Sequence, residues 1–293
     1  MSKIQKIKRK DLNLEKYSET LQNALNYRIY AEYWYLDVLT NEKWECLVCG
    51  DYEVVMPIPL QYKFGFKFVI QPLYCQQLGV FYRNEISKEL FDEFDKSLHK
   101  YRVRAYNFNE ENTKVFQPVG ELRPNYLLAL EKDYSEILEK FERDRKKDIR
   151  RNQKHEFNFS NDFQIDKYFE LLKSEYPDLA KSIDLVKMRN LIEVLIKQNK
   201  LKSYSLLNDE SEVISICLFA ESAERIILLF SARDKELETK GAFAYLMNYV
   251  IESNSAQNLI LDFEGSMIEG IAKFNSSFGA EPSYYTAFSN FKV

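Results

Sequence analysis

Two carboxylates close a short apolar segment near the end of the chain, and their spacing suggests acid–base chemistry. Asp262 and Glu264 follow the run Leu259-Ile-Leu, which predicts a strand, and side chains two positions apart on a strand share a face. An amine that attacks a carbonyl must lose a proton, and a nearby carboxylate can accept it. Asp262 and Glu264 are therefore candidate catalytic bases, and Glu221, at the end of another predicted strand, is a third candidate that we assign to substrate binding. The alternative for each is a solvated carboxylate at a strand end.

A predicted strand at residues 226–232 leads through a polar loop into a predicted helix at residues 241–253. The first turn of a helix presents unpaired N–H groups and a partial positive charge, so it can bind an anion. Gly241 allows close approach to the backbone and Lys240 adds a positive charge; the alternative is an ordinary helix start. The residues assigned to binding of a co-substrate here are Phe230, Ser231, Ala232, Arg233, Lys240, Gly241 and Ala242.

A basic run at residues 143–154 holds seven Arg or Lys against two Asp. Such a run can bind phosphate groups of a tRNA, a nucleotide-linked acceptor or coenzyme A. Arg150 and Arg151 are therefore assigned to substrate binding. The alternative is a solvated helix end, where the helix dipole favours cations.

Length and composition limit the possible classes of protein. The 293 residues exceed the roughly 250 that one hydrophobic core usually supports, which predicts two domains. A net charge of −4 argues against a protein held on DNA by its overall field, so any contact with nucleic acid must be local. No apolar run approaches the roughly 20 residues of a membrane-spanning helix, and no secretory signal begins the sequence. We therefore expect a cytoplasmic protein.

Cys46 and Cys49 form a lone CxxC pair, which is compatible with a redox centre or half of a zinc site. Their surroundings predict a β-hairpin, with strands at residues 43–48 and 52–57. Side chains three positions apart on a strand point to opposite faces, so the two sulfurs cannot share a metal. We expect two packed cysteines and no metal site.

The coarse pattern of elements predicts a mixed α/β chain with two domains, residues 1–130 and residues 131–293. A long charged helix at residues 131–155 begins the second domain. After it and one short strand, the predicted order is α-α-β-β-β-α-β-α-β, with helices that include residues 179–200 and 266–277. The first half repeats this layout loosely, without residue-level similarity.

The second half resembles the GNAT-type N-acyltransferases, and more closely the Fem-type peptidyltransferases, which carry two such domains in tandem. In those proteins a strand ending in D-F-x-G precedes a helix containing F-K-x-x-F-G. In this chain residues 262–265 read D-F-E-G and residues 274–279 read F-N-S-S-F-G, with Asn275 in place of the Lys. Residues 146–154 are similar to the inter-domain helix pattern R-x-x-I-R-x-x-x-K, with Lys146 in place of the first Arg.

The resemblance implies two GNAT-like domains, each with a mixed, largely antiparallel sheet flanked by helices. In the second, two neighbouring strands should splay beside residues 230–233 and admit the donor. In the first half only the layout is similar, and Tyr74 lies in the segment expected near the acceptor groove.

The resemblance also implies an N-acyltransferase that transfers an acyl group to an amine by direct attack in a ternary complex. Acyl-CoA is the expected co-substrate, with no tightly bound cofactor. One alternative uses aminoacyl-tRNA as donor and a cell-wall precursor as acceptor, and another is a non-catalytic ligand-binding module.

Two departures from the family pattern bear on these choices. The coenzyme A signature R/Q-x-x-G-x-G/A is reduced to residues 238–242, without its leading Arg or Gln. Phe274 lies near the position where GNAT enzymes often have a Tyr that protonates the leaving group. That role is empty unless Tyr284 or Tyr285 fills it, and we assign it to Tyr284.

Overall fold

The computed structural model describes residues 3–63, 65–178, 184–265 and 267–291, which form two compact units. Unit 1 comprises Met1–Pro124 with Tyr284–Val293, and unit 2 comprises Asn125–Ser283. These units divide the chain differently from the predicted domains, because residues 286–288 pair with a strand of unit 1. That pairing joins segments far apart in the sequence, and no local pattern reveals it.

Strands and helices are interspersed in both units. The strands are β1 (Gln5–Lys8), β2 (Trp44–Cys49), β3 (Val54–Lys63), β4 (Phe66–Ile70), β5 (Phe81–Tyr82), β6 (Arg102–Phe108), β7 (Glu121–Ala129), β8 (Asn158–Ser160), β9 (Leu201–Leu207), β10 (Val213–Glu221), β11 (Arg225–Arg233), β12 (Ile260–Asp262) and β13 (Glu281–Phe288). The helices are α1 (Leu14–Gln22), α2 (Tyr33–Thr40), α3 (Lys88–His99), α4 (Glu110–Phe116), α5 (Tyr134–Glu139), α6 (Arg143–Asn152), α7 (Ile165–Glu175), α8 (Leu185–Lys197), α9 (Ala242–Ser253) and α10 (Glu269–Ser276).

The predicted order of elements in the second half is confirmed, since α7 to β13 follow it strand for strand and helix for helix. Two of the predicted helices begin at residues outside the described ranges. The predicted helix at residues 179–200 is found as α8, and residues 179–183 lie outside the described residues. The predicted helix at residues 266–277 is found as α10, and Ser266 also lies outside them.

The sheets of the two units follow the same sequence of strand directions. In unit 1, β1 to β4 are successively antiparallel, β4 runs parallel to β6, and β6 is antiparallel to residues 286–288 of β13. In unit 2, β8 to β11 are antiparallel, β11 runs parallel to β12, and β12 is antiparallel to residues 127–129 of β7. The mixed, largely antiparallel α/β fold predicted from the sequence is confirmed, and so is its repeated layout.

The core of unit 2 forms where α9 covers one face of the sheet. Leu246, Met247, Val250 and Ile251 of α9 are fully buried and belong to one apolar cluster with Phe219 of β10. These α9 positions recur at three- and four-residue intervals, the spacing of one helix face. In the first turn of α9, the ring centroid of Phe243 lies 5.9 Å from the guanidinium of Arg233 at the carboxyl end of β11.

The predicted charged helix at residues 131–155 is wrong in one respect, because the structure has two helices there. Phe141 lies between α5 and α6, is 3% exposed and meets the ring of Phe278 edge-on, with centroids 5.2 Å apart. The N–H of Glu142 donates to the carbonyl of Ser277 (2.9 Å) rather than to a helical partner. Burial of Phe141 thus interrupts a segment whose charge pattern alone favours continuous helix.

The predicted hairpin is confirmed as β2 and β3, in which Cys46 lies opposite Pro57. All four cysteines are buried free thiols. Of the helices that the structure describes, none has the length and the apolar character needed to traverse a bilayer.

Candidate functional site

The parallel strands β11 and β12 separate after a short paired stretch. Residues 225–227 of β11 lie opposite residues 260–262 of β12, and then β12 ends while β11 continues to Arg233. Within the described ranges, no ladder pairing joins the two strands beyond Ile227. Strand β11 therefore extends beyond the end of its pairing with β12.

A β-bulge in β11 lies at the start of this separation. Leu218 of β10 lies opposite Phe230, whereas the next residue, Phe219, lies opposite Leu228. Leu229 is thus an extra residue on β11. A bulge bends its strand and increases the local twist, so it turns the second half of β11 away from its earlier course.

The end of β11 is held by a buried carboxylate that no sequence pattern indicated. Glu175, at the end of α7, is 1% exposed. Its Oε2 accepts the backbone N–H of Arg233 (2.7 Å), and its Oε1 accepts from Arg233 Nε (2.8 Å). Glu238 also lies near this guanidinium, with a closest N–O distance of 3.4 Å. Arg233, predicted to bind a co-substrate, instead fixes the strand end to α7.

The loop between β11 and α9 uses its own carboxylate to satisfy its backbone. Asp234 Oδ1 accepts the N–H groups of Glu236 (2.9 Å) and Leu237 (3.2 Å). With Glu238, the loop therefore carries three acidic residues at positions 234, 236 and 238. The loop expected from the sequence to form an anion site thus sets three carboxylates against two lysines, Lys235 and Lys240.

Helix α6 holds the other end of this loop. The carbonyl of Lys240 accepts from Asn152 Nδ2 (3.1 Å) and from Arg151 Nη1 (3.3 Å). The hydroxyl of Thr239 donates to Asn152 Oδ1 (2.7 Å). Asn152 is completely buried, so it acts as a fixed clamp on the loop, a role that a basic run read from sequence does not reveal.

The first turn of α9 lies against Asp148 of α6. Gly241 is the N-cap residue of α9 with φ of +85°, and a Cβ there would come within 2.7 Å of Asp148 Cβ. Asp148 pairs with Arg151 (2.9 Å) and Arg145 (3.2 Å). The predicted glycine position is thus occupied by a close helix–helix contact, and Ala242 after it is fully buried.

Asp262 and Glu264 have different surroundings at the end of β12. Asp262 is 1% exposed, and its Oδ2 lies 2.6 Å from Arg225 Nη1. Its Oδ1 accepts the backbone N–H of Glu264 (2.8 Å). Glu264 lies past the end of the strand, half-buried, with φ of +58°. The expected shared strand face is therefore absent, and Asp262 fixes the backbone that carries Glu264.

A search of solved structures finds proteins that align with this fold over almost the whole chain. FemX aligns with a TM-score of 0.68 at 10% identity, over 97% of each chain. L-PGS from Bacillus licheniformis aligns with a TM-score of 0.58 at 12% identity, over 95% of this chain and 92% of that one. A tandem GNAT protein from the clavulanic acid biosynthesis pathway aligns with a TM-score of 0.51 at 10% identity, over 99% of this chain and 100% of that one.

The chain has the Fem-like tandem GNAT fold. The structural neighbours confirm the resemblance that the sequence motifs predicted. No protein-family model matches the sequence, and a search of curated proteins finds no match.

In this Fem-like fold, the position where GNAT enzymes often carry a tyrosine is filled by an aromatic stack. Phe274 of α10 stacks with Phe243 of α9, with centroids 5.6 Å apart. The guanidinium of Arg145, in α6, lies 5.1 Å from the centroid of the Phe274 ring. Phe274 therefore joins α6, α9 and α10 by packing, and has no proton to give.

The remaining predicted residues are dispersed. Glu221 pairs with Lys202 (2.6 Å) at the end of β10. Arg150 is exposed and lines a groove of about 440 Å³ between α5 and α6. Tyr74 and Tyr284 both lie in unit 1, where the carbonyl of Tyr74 accepts from Tyr35 (2.5 Å) and Tyr284 is 48% exposed.

Unit 1 closes the equivalent separation of its parallel strands. Beyond the β4–β6 pairing, the N–H of Gln71 donates to the carbonyl of Ala105 (2.8 Å), and the N–H of Leu78 donates to the carbonyl of Asn107 (2.8 Å). The segment 71–79 thus takes up the edge of β6. In unit 2, no such pairing of β11 with β12 is seen beyond Ile227 among the described residues.

Proposed function

We propose that the protein is an N-acyltransferase whose reaction takes place where β11 extends beyond its pairing with β12 in unit 2. The observation that supports this is the separation of β11 and β12 after three paired residues. An extended donor can lie along β11 as an added strand would, so that strand N–H groups meet its carbonyl oxygen. Such fixed N–H groups stabilise the oxyanion that forms when an amine attacks, and holding both reactants in line supplies much of the rate.

Glu264 is the carboxylate best placed to accept the amine proton. Asp262 is buried in an ion pair with Arg225, so its carboxylate is committed to a structural contact. Glu264 is more exposed and is held in a left-handed conformation by the hydrogen bond from its N–H to Asp262. Backbone strain of this kind is frequent at functional sites.

The charges around Gly241 disfavour acyl-CoA as the donor. A coenzyme A diphosphate would need the N–H groups at the start of α9, yet the Asp148 side chain lies against Gly241. The preceding loop holds three carboxylates against two lysines, and two of its N–H groups donate to Asp234 and so are not offered to a ligand. These residues do not suit a diphosphate. We therefore favour an aminoacyl ester, as carried by aminoacyl-tRNA, over the acyl-CoA expected from the sequence.

The proposed reaction forms one bond and breaks one. The acceptor nitrogen attacks the ester carbonyl, the new C–N bond forms, and the C–O bond to the tRNA ribose breaks. Glu264 takes the proton that the amine loses, and the ribose hydroxyl leaves with a proton from solvent or from the same carboxyl group. Asp262 and Arg225 act as positioning residues.

Donor binding and transfer test this proposal separately. Wild-type protein is titrated with acetyl-CoA and with a non-hydrolysable aminoacyl-tRNA analogue, and transfer of labelled amino acid to lysine-containing peptides and amino lipids is followed. Glu264→Gln should keep analogue binding and lose transfer, whereas the exposed control Glu269→Gln should change neither. Binding of acetyl-CoA alone would overturn the choice of donor. Binding of the analogue without transfer to any amine would favour the non-catalytic module.

A further inference from the structure

A second cavity, separate from the β11 edge, lies wholly within unit 1. It has a volume of about 520 Å³, within the range of roughly 300–1,000 Å³ typical of small-molecule sites. It is bounded by β1, the start of β4, the end of α3 and the start of β6. Its lining consists of Ile4, Lys6, Leu47, Gly65, Phe66, Lys67, Ser97, Lys100, Tyr101 and Arg102.

The lining of this cavity is strongly positive. Four of its side chains are cationic, Lys6, Lys67, Lys100 and Arg102, and none is a carboxylate. One carboxylate, Glu45, is buried beneath them at 2% exposure. One negative charge therefore faces four positive ones, in a protein whose net charge is −4. The excess is local, and it is the kind of field that attracts an anionic ligand.

Glu45 is already committed to two partners. Its Oε2 lies 2.6 Å from Lys67 Nζ, and its Oε1 accepts the hydroxyl of Tyr101. Lys6 is more distant at 4.0 Å and 56% exposed. Glu45 thus fixes Lys67 and Tyr101 at the base of the cavity and leaves the other cations available to a ligand.

Aromatic rings hold the cations in defined positions. The guanidinium of Arg102 lies 4.1 Å from the centroid of Phe66, which is 50% exposed. Lys6 and Lys67 lie 5.4 and 5.3 Å from the centroid of Tyr101. A guanidinium stacked on a ring keeps its N–H edge for phosphate oxygens, and its outer face can stack on a nucleobase.

We infer that this cavity binds the phosphate groups of a nucleotide. Lys6, Lys100 and Arg102 recognise the phosphates, and the stack of Arg102 on Phe66 receives the base. The nucleotide is either free, as a nucleoside diphosphate, or part of a single-stranded RNA. The cavity is described within unit 1 and the end of β11 within unit 2. The free-nucleotide ligand does not depend on the proposed function, whereas the RNA ligand would also fit the tRNA donor proposed above.

The test uses the full chain and three probes at low salt: inorganic diphosphate, ADP and a fluorescent single-stranded RNA dodecamer. The variant Lys100→Glu/Arg102→Glu changes two exposed cations, so its fold should be preserved, which circular dichroism and thermal melting check. The matched control Lys10→Glu/Lys114→Glu makes the same change of net charge at exposed sites away from the cavity. Titration calorimetry follows diphosphate and ADP, and fluorescence anisotropy follows the RNA.

We expect ADP or RNA to bind the wild-type protein. In the Lys100→Glu/Arg102→Glu variant the affinity should fall about 10-fold or more for each of the two cations replaced. In the control variant the affinity should change little. Binding of both diphosphate and ADP identifies a free nucleotide as the ligand. Binding of the RNA alone identifies a nucleotide within a strand. Absence of binding by all three probes, or an equal loss in both double variants, would overturn the inference.

Discussion

The side chain of Asp148 lies directly against the backbone of Gly241. A Cβ at Gly241 would approach both Cβ and Cγ of Asp148 to 2.7 Å, at a residue whose φ is +85°. Both facts require glycine, since other residues rarely adopt this conformation and none would fit. This contact joins α6 to the first turn of α9, and so it places an acidic side chain where an anionic co-substrate was expected.

Replacing Gly241 by alanine should destabilise unit 2. A left-handed conformation costs about 1–2 kcal/mol for alanine, and overpacking against Asp148 adds about 1–3 kcal/mol. Gly270→Ala is the matched control, because Gly270 lies within α10 with nothing inside 4 Å of a new Cβ, and should stabilise by up to ~1 kcal/mol. Urea unfolding measures the stability of both variants. Equal stabilities would show that the contact between Gly241 and Asp148 does not constrain this position.

The two carboxylates after β12 should respond differently to removal of charge. Glu264→Gln should lower kcat about 10²-fold or more, with little change in donor KM or in urea stability. Asp262→Asn should instead reduce stability by about 3 kcal/mol, because it removes the negative charge from a buried ion pair with Arg225. Steady-state kinetics beside urea unfolding separate these effects. If Glu264→Gln retained full activity, the general base would have to be another group.

The order of elements in unit 2 was predictable because each element carries its own apolar periodicity, as the α9 face from Leu246 to Ile251 shows. The interruption of the helix at Phe141 was not predictable, because Phe141 continues the helical spacing of Ile137 and Leu138. Only its tertiary contact with Phe278 shows that the helix ends there.

Prediction of the candidate site was similarly limited by distant contacts. The location of Gly241 at a helix start follows from the sequence. The surroundings of Gly241 depend on Asp148 and Asn152 of α6, and the position of the Arg233 side chain depends on Glu175 of α7. In a single sequence, an arginine bound to a buried carboxylate looks the same as one that is available to a ligand.

The Glu175–Arg233 pair should contribute to stability rather than to donor binding. Glu175 is 1% exposed and Arg233 is 35% exposed, so solvent screens the pair on one side. We expect Glu175→Gln to cost about 1–3 kcal/mol. Asp166→Asn removes the carboxylate of an exposed pair with Arg189, in which Asp166 is 82% exposed, and should cost less than ~0.5 kcal/mol. Equal losses in thermal unfolding experiments would show that burial of Glu175 is unimportant.

The buried thiols should not react with disulfide reagents until the protein unfolds. Burial raises the pKa of Cys46 and of Cys217 above the ordinary value of 9.0, so the thiolate that reacts with disulfide reagents is scarce in the folded protein. Because these folded pKa values exceed the unfolded ones, the thiols' contribution to stability is complete below pH 9 and falls as pH rises beyond it. We expect the thiols to react slowly with Ellman's reagent at pH 8, at a rate that rises with urea in proportion to the unfolded fraction. The midpoint of urea unfolding should be lower at pH 10 than at pH 8. Immediate release of two or more equivalents from the folded protein would show that these strands are more open than their burial indicates.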